Sequence, residues 1–167
     1  MPSATGGGPT TPGTAADGVG SGGGHRDPRC HAADVSAKIV AGSPGAGQRY
    51  ASIVLTVTAD HACSIYGYGG MALVTASGAP VPTSMQRSPA IAPVLITLSP
   101  GGRVFSALHW TAIPGEGEGG TSYEPTARHA LVTPPDEKAT LKVDWTNGPV
   151  CEHGQIEQGA YRIGTGS

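Results

Sequence analysis

Tyr50-Ala51-Ser52-Ile53-Val54-Leu55-Thr56-Val57-Thr58-Ala59 is the stretch on which the fold turns. Ile53, Leu55 and Val57 fall on one side and Ser52, Val54 and Thr56 on the other, the period-two pattern of a β-strand. The β-branched residues that dominate it suit a pleated surface better than a helix. Just upstream, Ala33 to Ala41 alternates in the same way, with Val35, Ala37 and Ile39 on one face. Between the two runs lies Gly42-Ser43-Pro44-Gly45-Ala46-Gly47, a turn-forming cluster, so a hairpin centred near residues 45 to 47 is expected.

Downstream, short runs of the same character follow at Met71 to Thr75, Val94 to Leu98, Ala130 to Thr133, Leu141 to Thr146 and, weakly, Gln155 to Ile163, with Gly, Pro, Asn or Asp between them. In another, Val104, Ser106, Leu108 and Trp110 alternate with Phe105 and His109, which predicts a strand covered on both faces. Thr133-Pro134-Pro135-Asp136-Glu137 is expected to start a single helical turn capped by Thr133. No amphipathic run of about ten residues with helical spacing occurs, which argues against α/β folds. The expected class is all-β, an immunoglobulin-like antiparallel β-sandwich of about seven to nine strands.

Residues 1–29 hold almost no apolar side chain larger than alanine. Such a segment cannot bury enough surface to offset its ordering entropy, and it is read as a disordered N-terminal tether. The domain is expected over 30–163, with a flexible tail at 164–167. The net charge is -2 and charged residues make up 13% of the chain, so no field exists to attract nucleic acid. No run of about 18 apolar residues predicts a transmembrane segment. A small-residue tether is what remains when a secreted or lipid-anchored precursor loses its signal, and it is also what a simple disordered terminus of a cytosolic protein looks like. The first reading is favoured, so an extracytoplasmic location is expected and a lipid anchor in the precursor is compatible with it.

Three cysteines allow three pairings. The midpoint of Cys30 and Cys63 coincides with the centre of the expected hairpin, which places both at its open end, and closing that loop of about 33 residues is worth about 3 to 4 kcal/mol in the chain-entropy model. Cys30 to Cys151 is the rival bridge. In the favoured pairing Cys151 is a free thiol or a partner for another chain. Cys30-His31, His61-Ala62-Cys63 and Cys151-Glu152-His153 also bring together the residue types zinc prefers, without the spacing of a compact structural site. No Gly-x-Ser-x-Gly occurs. Glu116, Glu118 and Glu124 are the only carboxylates with a case as a hydrolytic pair, and glycine-flanked glutamates are more often solvated charges. The Gly-x-Gly-Gly at 67 to 70 lacks the helix that a phosphate-binding loop needs. Trp110 and Trp145 read as core. Tyr66, Gly67, Tyr68, Gly69 and Gly70 form the candidate partner surface, because exposed tyrosine beside glycine suits recognition.

Taken together, Cys30, the Gly-rich hairpin, Leu55-Thr56, Cys63-Ser64-Ile65 with Gly67-Tyr68, Leu98-Ser99-Pro100-Gly101-Gly102, Trp110 and Pro134-Pro135-Asp136 resemble the actinobacterial family described as domain of unknown function forty-two thirty-two. The resemblance covers roughly residues 30 to 163. It departs at Val57, where the family usually has asparagine, and at Gly69, where it usually has proline. The second departure predicts a looser loop. The resemblance implies an extracytoplasmic β-sandwich with a Cys30–Cys63 disulfide, found in secreted proteins, lipoproteins and envelope-attached proteins, and it implies no activity. The functional expectation is a non-catalytic binding or structural module of the cell envelope. Its partner would be an envelope protein or glycan, and no cofactor or metal is expected. The alternatives are a secreted hydrolase using the loop carboxylates or a Cys/His metal-binding protein.

Overall fold

The computed structural model describes residues 28–112 and 127–166; residues 1–27 of the expected tether at 1–29 and the loop carboxylates Glu116, Glu118 and Glu124 lie outside them, while Pro28 and Arg29, at the end of that tether, are held along Ser64. Among the described residues the chain is all-β. The quoted stretch becomes β2 (Gln48–Val57) and its predecessor β1 (Val35–Ala41), antiparallel in the register Val35↔Val57 to Ala41↔Ala51. The other strands are β3 (Cys63–Tyr66), β4 (Gly70–Val74), β5 (Pro80–Val81), β6 (Ser84–Arg87), β7 (Leu95–Leu98), β8 (Arg103–Thr111), β9 (His129–Thr133), β10 (Leu141–Asp144), β11 (Gln155–Gln158) and β12 (Arg162–Ile163). A single helical turn, α1 (Cys151–Gly154), precedes β11.

The twelve strands among the described residues exceed the expected seven to nine. The excess comes from pieces too short for alternation to register. β5 has two residues, β6 carries a single apolar residue, Met85, and the weak run at 155 to 163 breaks into β11 and β12 where Gly159, Ala160 and Tyr161 leave the ladder. One sheet has the order β1-β2-β8-β11-β6, with β12 also on β8; a second has the order β10-β9-β4-β5; β3 and β7 form a separate ribbon. Among the described residues all strand pairs but one are antiparallel, and the isolated bridge Arg29↔Ser64 is also parallel. β6 and β11 run parallel, so the expectation of a purely antiparallel array is corrected. The helical turn expected after Thr133 is also absent. Glu137 N donates to Pro134 O at 3.2 Å, and Asp136 takes a left-handed φ of 59°, which makes a tight turn.

Both sheets and the ribbon contribute to one apolar cluster. Ile53, Leu55, Val104 and Leu108 come from the first sheet, Leu73, Ala130 and Val132 from the second, and Ile65 and Ile96 from the ribbon. Trp110 and Trp145 meet within it at 5.2 Å between ring centroids, as their alternation implies. β1 lies against β10 at one side and β4 against β6 at the other. The last described residues cross the outer face of the first sheet. Gly164 N donates to Arg103 O at 3.0 Å, and Gly166 lies against Ser52 and Phe105.

The start of the domain is held at two points. The first is the Cys30–Cys63 disulfide, with both residues at 0% exposure, beside which Cys30 N donates to Ser64 O and Ser64 N to Pro28 O, each at 2.8 Å. The second is Glu137, whose carboxylate accepts from Ala32 N (2.9 Å), His31 Nδ1 (2.8 Å) and Arg29 (3.2 Å). The backbone donor first, then His31 and Arg29, hold its pKa below the ordinary carboxylate value against a smaller effect of burial. A carboxylate depressed on folding stabilises above its unfolded pKa, and that contribution disappears as pH falls through the folded value. Glu137→Gln is therefore expected to be less stable than the parent at neutral pH and to converge with it on acidification below about pH 4. Urea melts from pH 7 to pH 3 check this; a constant gap across that range would contradict it.

Candidate functional site

The 66–70 segment joins β3 to β4, and its parts have different fates. Tyr66 ends β3 opposite Leu95, with 52% of its surface exposed. Tyr68 is half-buried. Its hydroxyl donates to Ser88 O at 2.6 Å, and the Arg87 guanidinium sits 5.0 Å from its ring centroid. Gly67, at φ 96°, accepts from Tyr161 N at 2.9 Å, and Gly69 O accepts from Gln158 Nε2 at 3.1 Å. The segment predicted to be loose is thus fastened to β11 and to the β11–β12 connection. Of its two tyrosines, Tyr66 is the one that presents its ring to solvent.

Beneath this segment lies Tyr161, fully buried, with a hydroxyl that has no hydrogen-bond partner among the described residues. Burial pushes its phenol pKa up. A buried polar atom left unpaired costs about 1 to 3 kcal/mol. Tyr161→Phe is accordingly expected to be more stable than the parent by about 1 kcal/mol at pH 7. Because the folded pKa is the higher one, the parent should lose stability as pH rises above the unfolded value of about 10, and the variant should lose that part of the alkaline limb. Denaturant melts at pH 7 and pH 11 test both; a less stable variant at pH 7 would show that the hydroxyl is satisfied.

The cysteines are now placed. Cys30 and Cys63 are consumed by the disulfide, which removes two ligands from the zinc alternative, and Cys151 lies outside that bridge on α1 at 1% exposure. A thiol so enclosed is not presented to another chain.

A second surface, which sequence reasoning missed, occupies the outer face of the first sheet. β2 and β8 pair in the register Tyr50↔His109. The two rings stack at 4.8 Å between centroids with 8° between planes. His109 Nε2 donates to Gln48 Oε1 at 2.5 Å, and its Nδ1 lies 3.8 Å from the Glu157 carboxylate. A groove of about 300 Å³ opens beside this pair, floored by Ala107 and Ala160 and edged by Ile91, Glu157 and Arg162. Arg162 rests its guanidinium 4.9 Å from the Phe105 ring centroid. A further depression of about 290 Å³ shares His109 and Glu157 and adds Gln48 and Gln155. A third, beyond the other side of Tyr50, runs past Gly42, Ser43 and Ser52. The arrangement offers an aromatic ridge, an apolar floor and hydrogen-bonding rims.

A family model described as Domain of unknown function (DUF4232) matches residues 30–162. No curated protein and no solved structure matches the chain.

Proposed function

The chain belongs to the family described as Domain of unknown function (DUF4232), and from that premise we propose that it is a non-catalytic binding module working outside the cytoplasm. In this reading its sheets form an immunoglobulin-like sandwich, and ligand lies on the outer face of the first sheet. The shared apolar cluster of the two sheets supports the sandwich, while the parallel β6–β11 pair departs from the usual immunoglobulin pattern. The buried Cys30–Cys63 disulfide supports an oxidising compartment, since reducing cytoplasm keeps thiols free.

The observation that carries the reading is the Tyr50–His109 stack at the edge of a preformed groove. Aromatic rings beside a concave apolar floor are what ligand sites use, and rigid aromatic side chains contact a partner at low entropic cost. The 66–70 surface offers less. Tyr68 is tied to Ser88, leaving Tyr66 with Leu95 and Val94 as an exposed patch of a few residues.

Ala107 points outward from β8 into the groove and is exposed, so Ala107→Trp fills the groove without entering the core. In cosedimentation of the full chain with the insoluble envelope fraction of its source cells, the variant is expected to lose at least about tenfold in retention with an unchanged melting temperature. Unchanged retention would remove this face from consideration.

A further inference from the structure

The chemistry of the same groove narrows the class of ligand, and this step rests on the reading just given. We infer that the groove takes a neutral sugar chain. Its edge carries one carboxylate, Glu157, and one guanidinium, Arg162. An anionic ligand would gain from Arg162 and lose against Glu157, and a cationic one the reverse, so the groove favours neither sign of net charge. A neutral polyol gains from both. Its hydroxyls donate to the carboxylate and accept from the guanidinium, and hydrogen bonds with one charged partner are the stronger kind.

The remaining surface fits the other half of a sugar's character. A pyranose presents C–H groups on its faces and hydroxyls around its edge. The floor of Ala107 and Ala160 and the faces of the Tyr50–His109 pair suit the C–H faces, because the ring quadrupole is negative over the π face. Gln48 and Gln155 in the adjoining depression, and Ser43 and Ser52 beyond Tyr50, are uncharged groups that can both donate and accept. The rings are shared between neighbouring depressions, so successive units of one chain can lie on both sides of the ridge. A polypeptide occupant would need its backbone N–H and C=O groups paired along its length. Among the described residues Tyr50, Ala107, His109 and Glu157 stand on β2, β8 and β11, each paired on both sides, so the only strand edge beside the groove is that of the two-residue β12, too short to pair a peptide along its length.

The test uses the same envelope fraction after treatment with periodate, which cleaves vicinal diols, or with protease, alongside titration of the full chain with soluble neutral oligosaccharides. Periodate is expected to lower retention at least tenfold while protease leaves it unchanged. Tyr50→Ala is expected to lose about tenfold in both retention and oligosaccharide affinity, and the Tyr50 and His109 ring resonances should shift on titration. Loss to protease with persistence after periodate would overturn the sugar assignment and leave the groove standing, provided Ala107→Trp still abolishes retention. Retention that survives Ala107→Trp would instead defeat the groove.

Discussion

Replacing Cys30 and Cys63 together by alanine is expected to cost about 3 to 4 kcal/mol, because the bridge closes a loop with a sequence separation of 33 and removes that closure entropy from the unfolded chain. For a domain of this size the melting temperature should fall by about 10 °C. The effect extends beyond chain entropy. Both sulfurs are fully buried, and the bridge lies beside the two hydrogen bonds that hold Pro28 and Cys30 along Ser64. Without it, residues 28 to 31 would depend on those bonds and on the exposed end of the Glu137 cluster. Urea melts should therefore show a lower midpoint, and a loss below about 1 kcal/mol would show that the loop is constrained by other contacts. Thiol counting gives an independent reading. The non-reduced chain should expose one reactive thiol when denatured and none when native, since Cys151 is enclosed.

The disulfide and the hairpin were legible for a common reason. Val35↔Val57 and Ala41↔Ala51 are symmetric about residue 46, the turn cluster marks that centre, and Cys30 and Cys63 share it. Local pairing leaves a local signal. The inner face of β8 was legible too, because Val104, Ser106, Leu108 and Trp110 alternate over a full-length strand, but the cover expected on its other face is missing: Ala107 is exposed and Phe105 and His109 are only partly buried. What stayed hidden depends on pairing between remote segments. Nothing in Ser84-Met85-Gln86-Arg87 announces a strand, still less one parallel to β11, because an edge strand needs no apolar alternation. Tyr161 read as part of a weak strand, yet it leaves the ladder and turns into the core. The groove was out of reach for the same reason. Gln48 and His109 are 61 residues apart, and Tyr50 meets His109 through the β2–β8 register alone. The signal that could have found them was modest: two outward-facing rings on long strands. It gains meaning only once those strands are known to be neighbours.

Gly69 shows the opposite error, a residue whose local reading pointed the wrong way. Glycine in place of the family's usual proline suggested freedom, yet a Cβ here would run into the backbone carbonyl of Thr133, with the Tyr161 ring 3.3 Å and Pro135 3.4 Å away. Glycine is required by close approach rather than by flexibility. Gly69→Ala must push the segment off β9. It would strain the bonds from Gln158 Nε2 to Gly69 O and from Tyr161 N to Gly67 O, and lift the cover from Tyr161. Overpacking against an unyielding backbone, plus a buried polar group left unpaired, gives an expected loss of about 3 kcal/mol. The neighbouring glycine supplies the control. A Cβ at Gly70 would meet Thr133 Cβ at 3.6 Å, an ordinary contact, and Gly70 starts β4 without a left-handed backbone. Gly70→Ala is therefore expected to be neutral or to stabilise by about 0.5 kcal/mol through the unfolded state. Paired denaturant melts of the two variants decide between the readings, because a merely flexible hinge would respond alike at both positions. Equal effects would mean that Gly69 is free after all and that the 66–70 loop, not the sheet, is the softer part of the molecule.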